Sequence, residues 1–327
     1  MKAFKTTVLV LTLMAGTALA TAGFAVTDSW EFADVTRIKL DGVSGDVVIL
    51  EGQGNTGLVE LRHDVSPAKS FRPEVEQDGA TLYIEEKWSG GSSHGSVGWT
   101  IHVPRGQGDI RISVDTASGD LECRGVSAQI EFETASGDIG LSGVSLQRGS
   151  DFSTASGDIH LEDMTVTQDC EFSTASGNVE LEDLTVEEDC EFSTASGDVN
   201  AENCKGYFEL GTASGDVEVR NCELMGPGEF STASGDVDLH FDVLPAFDVS
   251  ASSASGDVLL TANDFGDDFT LVMVKREDRG RITCPFKYTD EYTYDDYHEY
   301  EVKVVERGSG KPQIELRTAS GKVTVKE

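Results

Sequence analysis

Basic residues are scarce in this chain: 25 Lys and Arg stand against 59 Asp and Glu among 327 residues, a formal net charge of -34. Such a balance repels nucleic acid and anionic lipid, and it favours cations or basic partners. The marks of common catalytic machinery are missing too. There is no Gly-x-Ser-x-Gly elbow, and His63, His94, His102, His160, His240 and His298 show no close metal-ligand spacing. Gly308-Ser309-Gly310-Lys311 lacks the lead and the following Ser or Thr of a phosphate loop. Beyond the N-terminus no long apolar run appears, and the C-terminus is polar. Hydrophobic residues still make up 38%, which excludes wholesale disorder.

The N-terminus predicts export. Lys2 and Lys5 precede an apolar stretch from Thr7 to Gly16 that is too short to span a bilayer. Ala18-Leu19-Ala20 then offers a cleavage site, with Ala20-Thr21-Ala22 as a second choice. Residues 1–22 are therefore expected to be a signal peptide, and losing the two lysines takes the charge from -34 to -36. No cysteine follows the signal closely enough for a lipid anchor. The expected location is the periplasm or the cell exterior, with no transmembrane segment in the mature chain.

What is abundant is repetition. Thr-Ala-Ser-Gly recurs with its threonine at 116, 134, 154, 174, 194, 212 and 232, a variant begins at Ser253, and a last copy begins at Thr318. Residues 154–173 and 174–193 share 14 of 20 positions. Within a repeat the apolar residues alternate: Phe172 and Thr174 take one face and Ser173 the other, and Val179 and Leu181 alternate with Glu180 and Glu182. Period two in short runs separated by glycine turns predicts strands and excludes helices. Each corner glycine is expected to supply a positive φ, and the Asp that follows in seven of nine copies to cap the amides of its own turn.

A fixed period near 20 residues predicts an all-β parallel β-solenoid of about ten rungs of 18–21 residues, with an irregular insert near the C-terminus. Phe132, Phe152, Phe172, Phe192 and Phe230 would then stack inside, interrupted by Leu210. A sandwich of hairpins is the rival, whereas leucine-rich and propeller patterns do not fit. The expected organisation is signal peptide 1–22, degenerate β rungs 23–115, regular repeats 116–260, and an insert with capping strands 261–327. That insert carries Tyr288, Tyr292, Tyr294, Tyr297 and Tyr300 among Asp290, Glu291, Asp295, Asp296 and Glu299. It is either a recognition surface or an edge hairpin covering the end of the stack.

The Ser-Gly-Asp-Val corner at 44–47, the Ile101-His102-Val103-Pro104 strand and the run of Thr-Ala-Ser-Gly-Asp corners resemble the bacterial putative-adhesin family. The resemblance covers nearly all of 30–327 and implies an exported protein of β-strand repeats with a β-helix-like fold and a cell-envelope role.

Two further features carry chemistry. Asp120, Asp138, Asp158, Asp198, Asp216, Asp236 and Asp257 share one corner position. They serve either as turn caps or as a calcium ladder, although Gly-Gly-x-Gly-x-Asp is missing. Cys170 and Cys190 share a second position, and Cys204 and Cys222 a third, so disulfides Cys170–Cys190 and Cys204–Cys222 are expected in an oxidising compartment. Cys123 and Cys284 have no equivalent partner. The aspartates are duplicated repeat after repeat, whereas an active site needs a few uniquely placed groups. The expectation is therefore a non-enzymatic, adhesin-like binding or scaffolding protein with no catalytic, cofactor or metal residues, whose partner is an envelope or extracellular protein or glycan. A polysaccharide-active β-helix enzyme and a calcium-stabilised repeat protein are the alternatives.

Overall fold

A computed structural model describes residues 25–90, 93–106, 110–147, 149–296 and 299–327, so the expected signal peptide lies outside the described residues. Contacts divide the chain into two units, Met1–Ser156 and Gly157–Glu327. In each unit most strands fall into two large sheets, while the two-residue strands pair separately, as Thr165–Val166 does with Thr185–Val186. In the first unit one sheet runs in the order Asp28–Phe32, Gly57–His63, Val97–Val103, Gly45–Glu51, Leu121–Arg124, Ile139–Ser142. The other places the hairpin Phe71–Asp78/Thr81–Trp88 beside Arg37–Asp41, followed by Arg111–Thr116, Ser127–Thr134 and Ser150–Thr154. In the second unit, strands from Ile159–Glu162 to Val323–Lys326 form one sheet, and strands from Cys170–Thr174 to Gln313–Thr318 form the other. The second of these ends in the antiparallel strands Phe269–Arg276, Glu299–Arg307 and Asp290–Asp295.

This arrangement corrects the expected single parallel β-solenoid of 18–21-residue rungs. The chain forms two large mixed sheets of short strands that are neither closed nor curled. Antiparallel pairs at 28–32/57–63, 57–63/97–103, 71–78/81–88, 269–276/299–307 and 290–295/299–307 break any single coiling path. The second corner of the repeat shows the physical reason in part. Nine residues after each threonine stand Gly125, Gly143, Asp163, Asp183, Asn203 and Asn221, with φ between 53° and 64°. These are the residue types that tolerate left-handed backbone. In the next two repeats that position holds Phe241 and Ala262, and the strands run straight on to Val243 and Asp264.

Within the regular part, like residues of successive repeats pair in parallel register: Thr134 with Thr154, Cys170 with Cys190, Phe172 with Phe192, and Thr194 with Thr212. Phe152, Phe172, Phe192 and Phe230 are fully buried, and the rings of Phe172 and Phe192 stack at 5.2 Å and 8°. Each such ring contributes about 1.5–3 kcal/mol of burial.

The first corner works differently from the sequence reading. Its glycines do not adopt positive φ. A Cβ built on Gly137, Gly197, Gly215 or Gly235 would lie 1.9–2.0 Å from the carbonyl oxygen of the preceding repeat's glycine. Glycine is there for close approach. The threonine hydroxyl donates to that same carbonyl, in Thr174 to Gly157, Thr194 to Gly177, Thr212 to Gly197 and Thr232 to Gly215, at 2.8–2.9 Å. It also accepts an amide of its own turn, as from Ser196 at 3.4 Å and Gly235 at 3.1 Å. The aspartate does not cap its own turn. Asp158 accepts the amide N–H of Asn178, Asp198 that of Asp216, Asp216 that of Asp236, and Asp236 that of Asp257, at 2.7–2.8 Å. Asp257 closes the series by accepting from the Lys322 amide and ammonium, at 2.8 and 3.1 Å.

The irregular corner at Gly42–Asp46 has no threonine, and a carboxylate from another strand replaces it. Glu86, only 5% exposed, accepts from the amides of Val43 and Ser44 and from the indoles of Trp88 and Trp99. Four donors offset the cost of burying its charge. At the far end of the second unit, Lys275 pairs in register with Thr318 and is 5% exposed. Glu301 meets its ammonium at 2.7 Å.

The expected disulfides are also corrected. All six cysteines are free thiols, and Cys123, Cys170, Cys190, Cys204 and Cys222 are buried. In-register parallel strands send like side chains out side by side, not towards each other, which is poor geometry for a disulfide. Cys204 and Cys222 come within hydrogen-bonding reach of each other without a bond between the sulfurs, and each Sγ also reaches a backbone carbonyl, Glu202 O at 3.2 Å and Arg220 O at 3.3 Å. Burial pushes the Cys123 thiol up to about 12.

The corner chemistry predicts that Thr194→Val destabilises the protein by about 1–3 kcal/mol, since the Gly177 carbonyl loses its donor while methyl volume is conserved. Thr194→Ser, which copies Ser253 and its 2.8 Å bond to Gly235 O, costs far less. Urea unfolding of the three proteins checks both.

Candidate functional site: an ordered carboxylate face

The strands of the second unit bury every second residue and expose those between, so repetition turns single acids into columns. On the outer side of the sheet that begins at Ile159–Glu162, three columns run side by side. The corner column is Asp158, Asn178, Asp198, Asp216, Asp236 and Asp257, whose amide bonds are described above. Next to it stand His160, Glu180, Asn200, Glu218 and Asp238, and beyond them Glu162, Glu182, Glu202, Arg220 and His240, each adjacent pair in parallel register. A depression of about 270 Å³ opens in this face. Its walls are His160, Glu180, Glu182, Glu202, Glu218 and Arg220, and Leu181 and Ala201 line it beneath them. Ala201 stands in register with Leu181 and Val219, and all three are buried beneath the acids.

The acids here are only partly neutralised. His160 Nδ1 lies 3.3 Å from Glu180 Oε2, and Arg220 pairs with Glu218. Asp238 is half-buried, and burial first, then Asp236, push its carboxyl above the ordinary aspartate value, while His240 works in the opposite direction. The other sheet carries a second acidic column, Glu171, Glu191, Glu209 and Glu229, with like charges directly opposite one another. Burial, followed by Glu191 and Glu229, pushes the Glu209 carboxyl up.

The tyrosine-rich segment forms the antiparallel edge strand Asp290–Asp295 against Glu299–Arg307. Most of its described rings are engaged within the molecule. Tyr294 and Tyr300 stack at 5.4 Å, Arg317 lies over Tyr300, and Lys303 lies over Tyr288. Tyr292 is 48% exposed, and Tyr297 lies outside the described residues. The cysteines expected to bond sit in the core, away from either carboxylate face. Sequence reading missed Glu86, the Lys275–Glu301 pair and the grouping of Glu218, Asp238 and His240. The first two are marked only by a charged residue at a position the alternation assigns to the interior, and the third only by aligning residues 20 positions apart.

The in-register acids carry a pH signature. A carboxyl whose folded value is raised favours the folded state while protonated, and that contribution is lost as pH rises through the raised value. Glu209→Gln is therefore expected to raise the melting temperature at neutral pH and to change nothing well below pH 4.5, the ordinary glutamate value. Sodium chloride near 0.15 M, where the Debye length is about 8 Å, shrinks the neutral-pH gain. Thermal melts of both proteins against pH and salt test this, and a gain that persists in acid contradicts it.

No helix among the described residues is long and apolar enough to cross a membrane. Solved structures of similar length show low identity to this chain. A putative adhesin from Bacteroides fragilis is 12% identical, with 91% of this chain and 95% of that one covered at a TM-score of 0.35. A putative lipid binding protein from Parabacteroides distasonis is 11% identical, with the same coverage and a TM-score of 0.39. A putative adhesin from Parabacteroides merdae is 12% identical at a TM-score of 0.27, again with 91% and 95% covered. No curated protein matches the chain. A family model does: Toastrack DUF4097 matches residues 35–270, most of the chain, and the protein belongs to that family.

Proposed function

We propose that the protein is an exported, adhesin-like, non-enzymatic binding protein of the cell envelope that holds a basic protein segment on its carboxylate face. The observation that carries this reading is the set of side-by-side columns at 158–257, 160–238 and 162–240, built from acids in backbone register. A partner with cations along an extended strand meets acids at intervals of about 4.8 Å, the spacing of neighbouring strands. Complementary charge at that spacing gives rapid encounter and selectivity for polycations over neutral ligands. The hydroxyls that recur most often, those of the corner threonines, are spent on backbone bonds, which supports binding over catalysis.

A short oligolysine peptide is the defined probe. It is expected to bind the chain lacking residues 1–22, with affinity that falls steeply as salt rises. Glu180→Gln/Glu182→Gln/Glu202→Gln should weaken it about tenfold or more, while Glu171→Gln/Glu191→Gln on the other sheet weakens it less. Calorimetry or fluorescence anisotropy reads both. Equal losses from the two sheets would reduce the effect to net charge, and preference for a chitosan oligosaccharide over the peptide would move the reading to a glycan partner.

A further inference from the structure

We propose that Glu218, Asp238 and His240 form a binding site for a divalent transition metal of the Zn²⁺ type. One ligand atom from each residue, two carboxylate oxygens and an imidazole nitrogen, lies within 4.8 Å of the other two. The backbone places them there. Strands Val217–Arg220 and Val237–Val243 pair in parallel, Glu218 stands opposite Asp238, and His240 is two residues further along the same face. A bound ion would have to draw the three atoms to the roughly 2.0–2.2 Å bond lengths of zinc to nitrogen and oxygen. Water would fill the remaining positions.

Three observations separate this group from the acids around it. It is the only cluster of three metal-capable side chains found among the described residues. It also breaks the duplication of the face: the equivalent positions hold Glu180 with Glu182 and Asn200 with Glu202, which offer no imidazole. Finally, two of its three members lack competing partners. Among the described residues no hydrogen bond or ion pair engages the Asp238 carboxylate or the His240 ring, whereas His160 is already bonded to Glu180. Burial and Asp236 make the Asp238 charge costly, which a bound cation would relieve.

The donor set chooses the metal. Calcium and magnesium take oxygen ligands, and an imidazole nitrogen in place of one of them favours zinc, copper or nickel. Arg220 is the internal competitor, because it pairs with Glu218 and stands in register with His240. Metal binding must draw Glu218 away from it.

That competition supplies the test. Zn²⁺ is titrated into the tag-free chain lacking residues 1–22, by calorimetry and against a chelating dye. One equivalent is expected to bind and to raise the melting temperature by mass action on the folded state. His240→Ala should weaken binding by more than about tenfold, in line with the effects of disturbing metal shells. His160→Ala should leave it unchanged, and Arg220→Ala should tighten it by releasing Glu218. All three positions are on the outer face, and melts without metal confirm that the variants fold. Equal losses from His240→Ala and His160→Ala would overturn the site, and so would weaker binding in Arg220→Ala. Displacement of Zn²⁺ by an equal concentration of Ca²⁺ would show diffuse attraction to the acidic face instead. The proposal stands apart from the basic-partner reading: Glu180, Glu182 and Glu202 can fail as a peptide surface while this site still binds zinc.

Discussion

Everything regular in this molecule depends on one contact, the approach of each corner to the corner before it. A glycine carbonyl comes so near the next glycine that a Cβ there would sit 1.9–2.0 Å away. Such closeness would leave corner amides and carbonyls buried and unpaired, which proteins do not tolerate. The threonine hydroxyl and the aspartate carboxylate answer that need by reaching across the gap in opposite chemical roles. Thr194 donates to the Gly177 carbonyl of the preceding repeat, and Asp198 accepts the Asp216 amide of the following one. Only replacements that keep the bond hold the seam closed, as Ser253 does for threonine and Asn178 for aspartate. This accounts for why Thr, Gly and Asp recur together while the residues between strands drift.

The same register creates the main opposing force. A slip of one residue would turn every side chain to the wrong face, so burial of the Phe column pins the alignment. Alignment then sets like charges opposite one another, Glu171 to Glu191 and Glu191 to Glu209. In water two unit charges at about 4.8 Å repel by roughly 1 kcal/mol before salt screening. Corner aspartates such as Asp158, Asp198, Asp216 and Asp236 escape part of this cost, because their carboxylates hold an amide N–H. In the outer columns burial first, and then neighbouring acids, raise the carboxyls of Glu209 and Asp238.

Much of the middle was legible in the sequence because the repeat displays its own period. The alternation around Phe172 and Val179 identified strands, and the aligned threonines identified which residues stand beside each other. The ends were not legible, since antiparallel return is decided by local turns such as Gly79, with φ of 59°, and not by the motif. Glycine's role at the corner was misread because a tight turn and a close approach demand the same residue. The cysteines were misread for a related reason. Equivalent position correctly made Cys170 and Cys190 neighbours, but in-register neighbours point the same way, which is poor geometry for a disulfide. Glu86 was hidden because its purpose lies in a different corner, more than 40 residues away.

Duplication also bears on how function arises on such a face. A repeated column offers the same group many times and so provides avidity without selectivity at any one point. Discrimination requires a repeat that departs from its neighbours while keeping their backbone. Arg220 and His240 do so by substitution, standing where Glu182 and Glu202 stand in earlier repeats. Because the corner bonds fix the backbone independently of these outward positions, such changes cost little stability. The face can therefore keep its charge and its register while individual positions acquire their own chemistry, and the departures from the pattern are where specific recognition is to be sought.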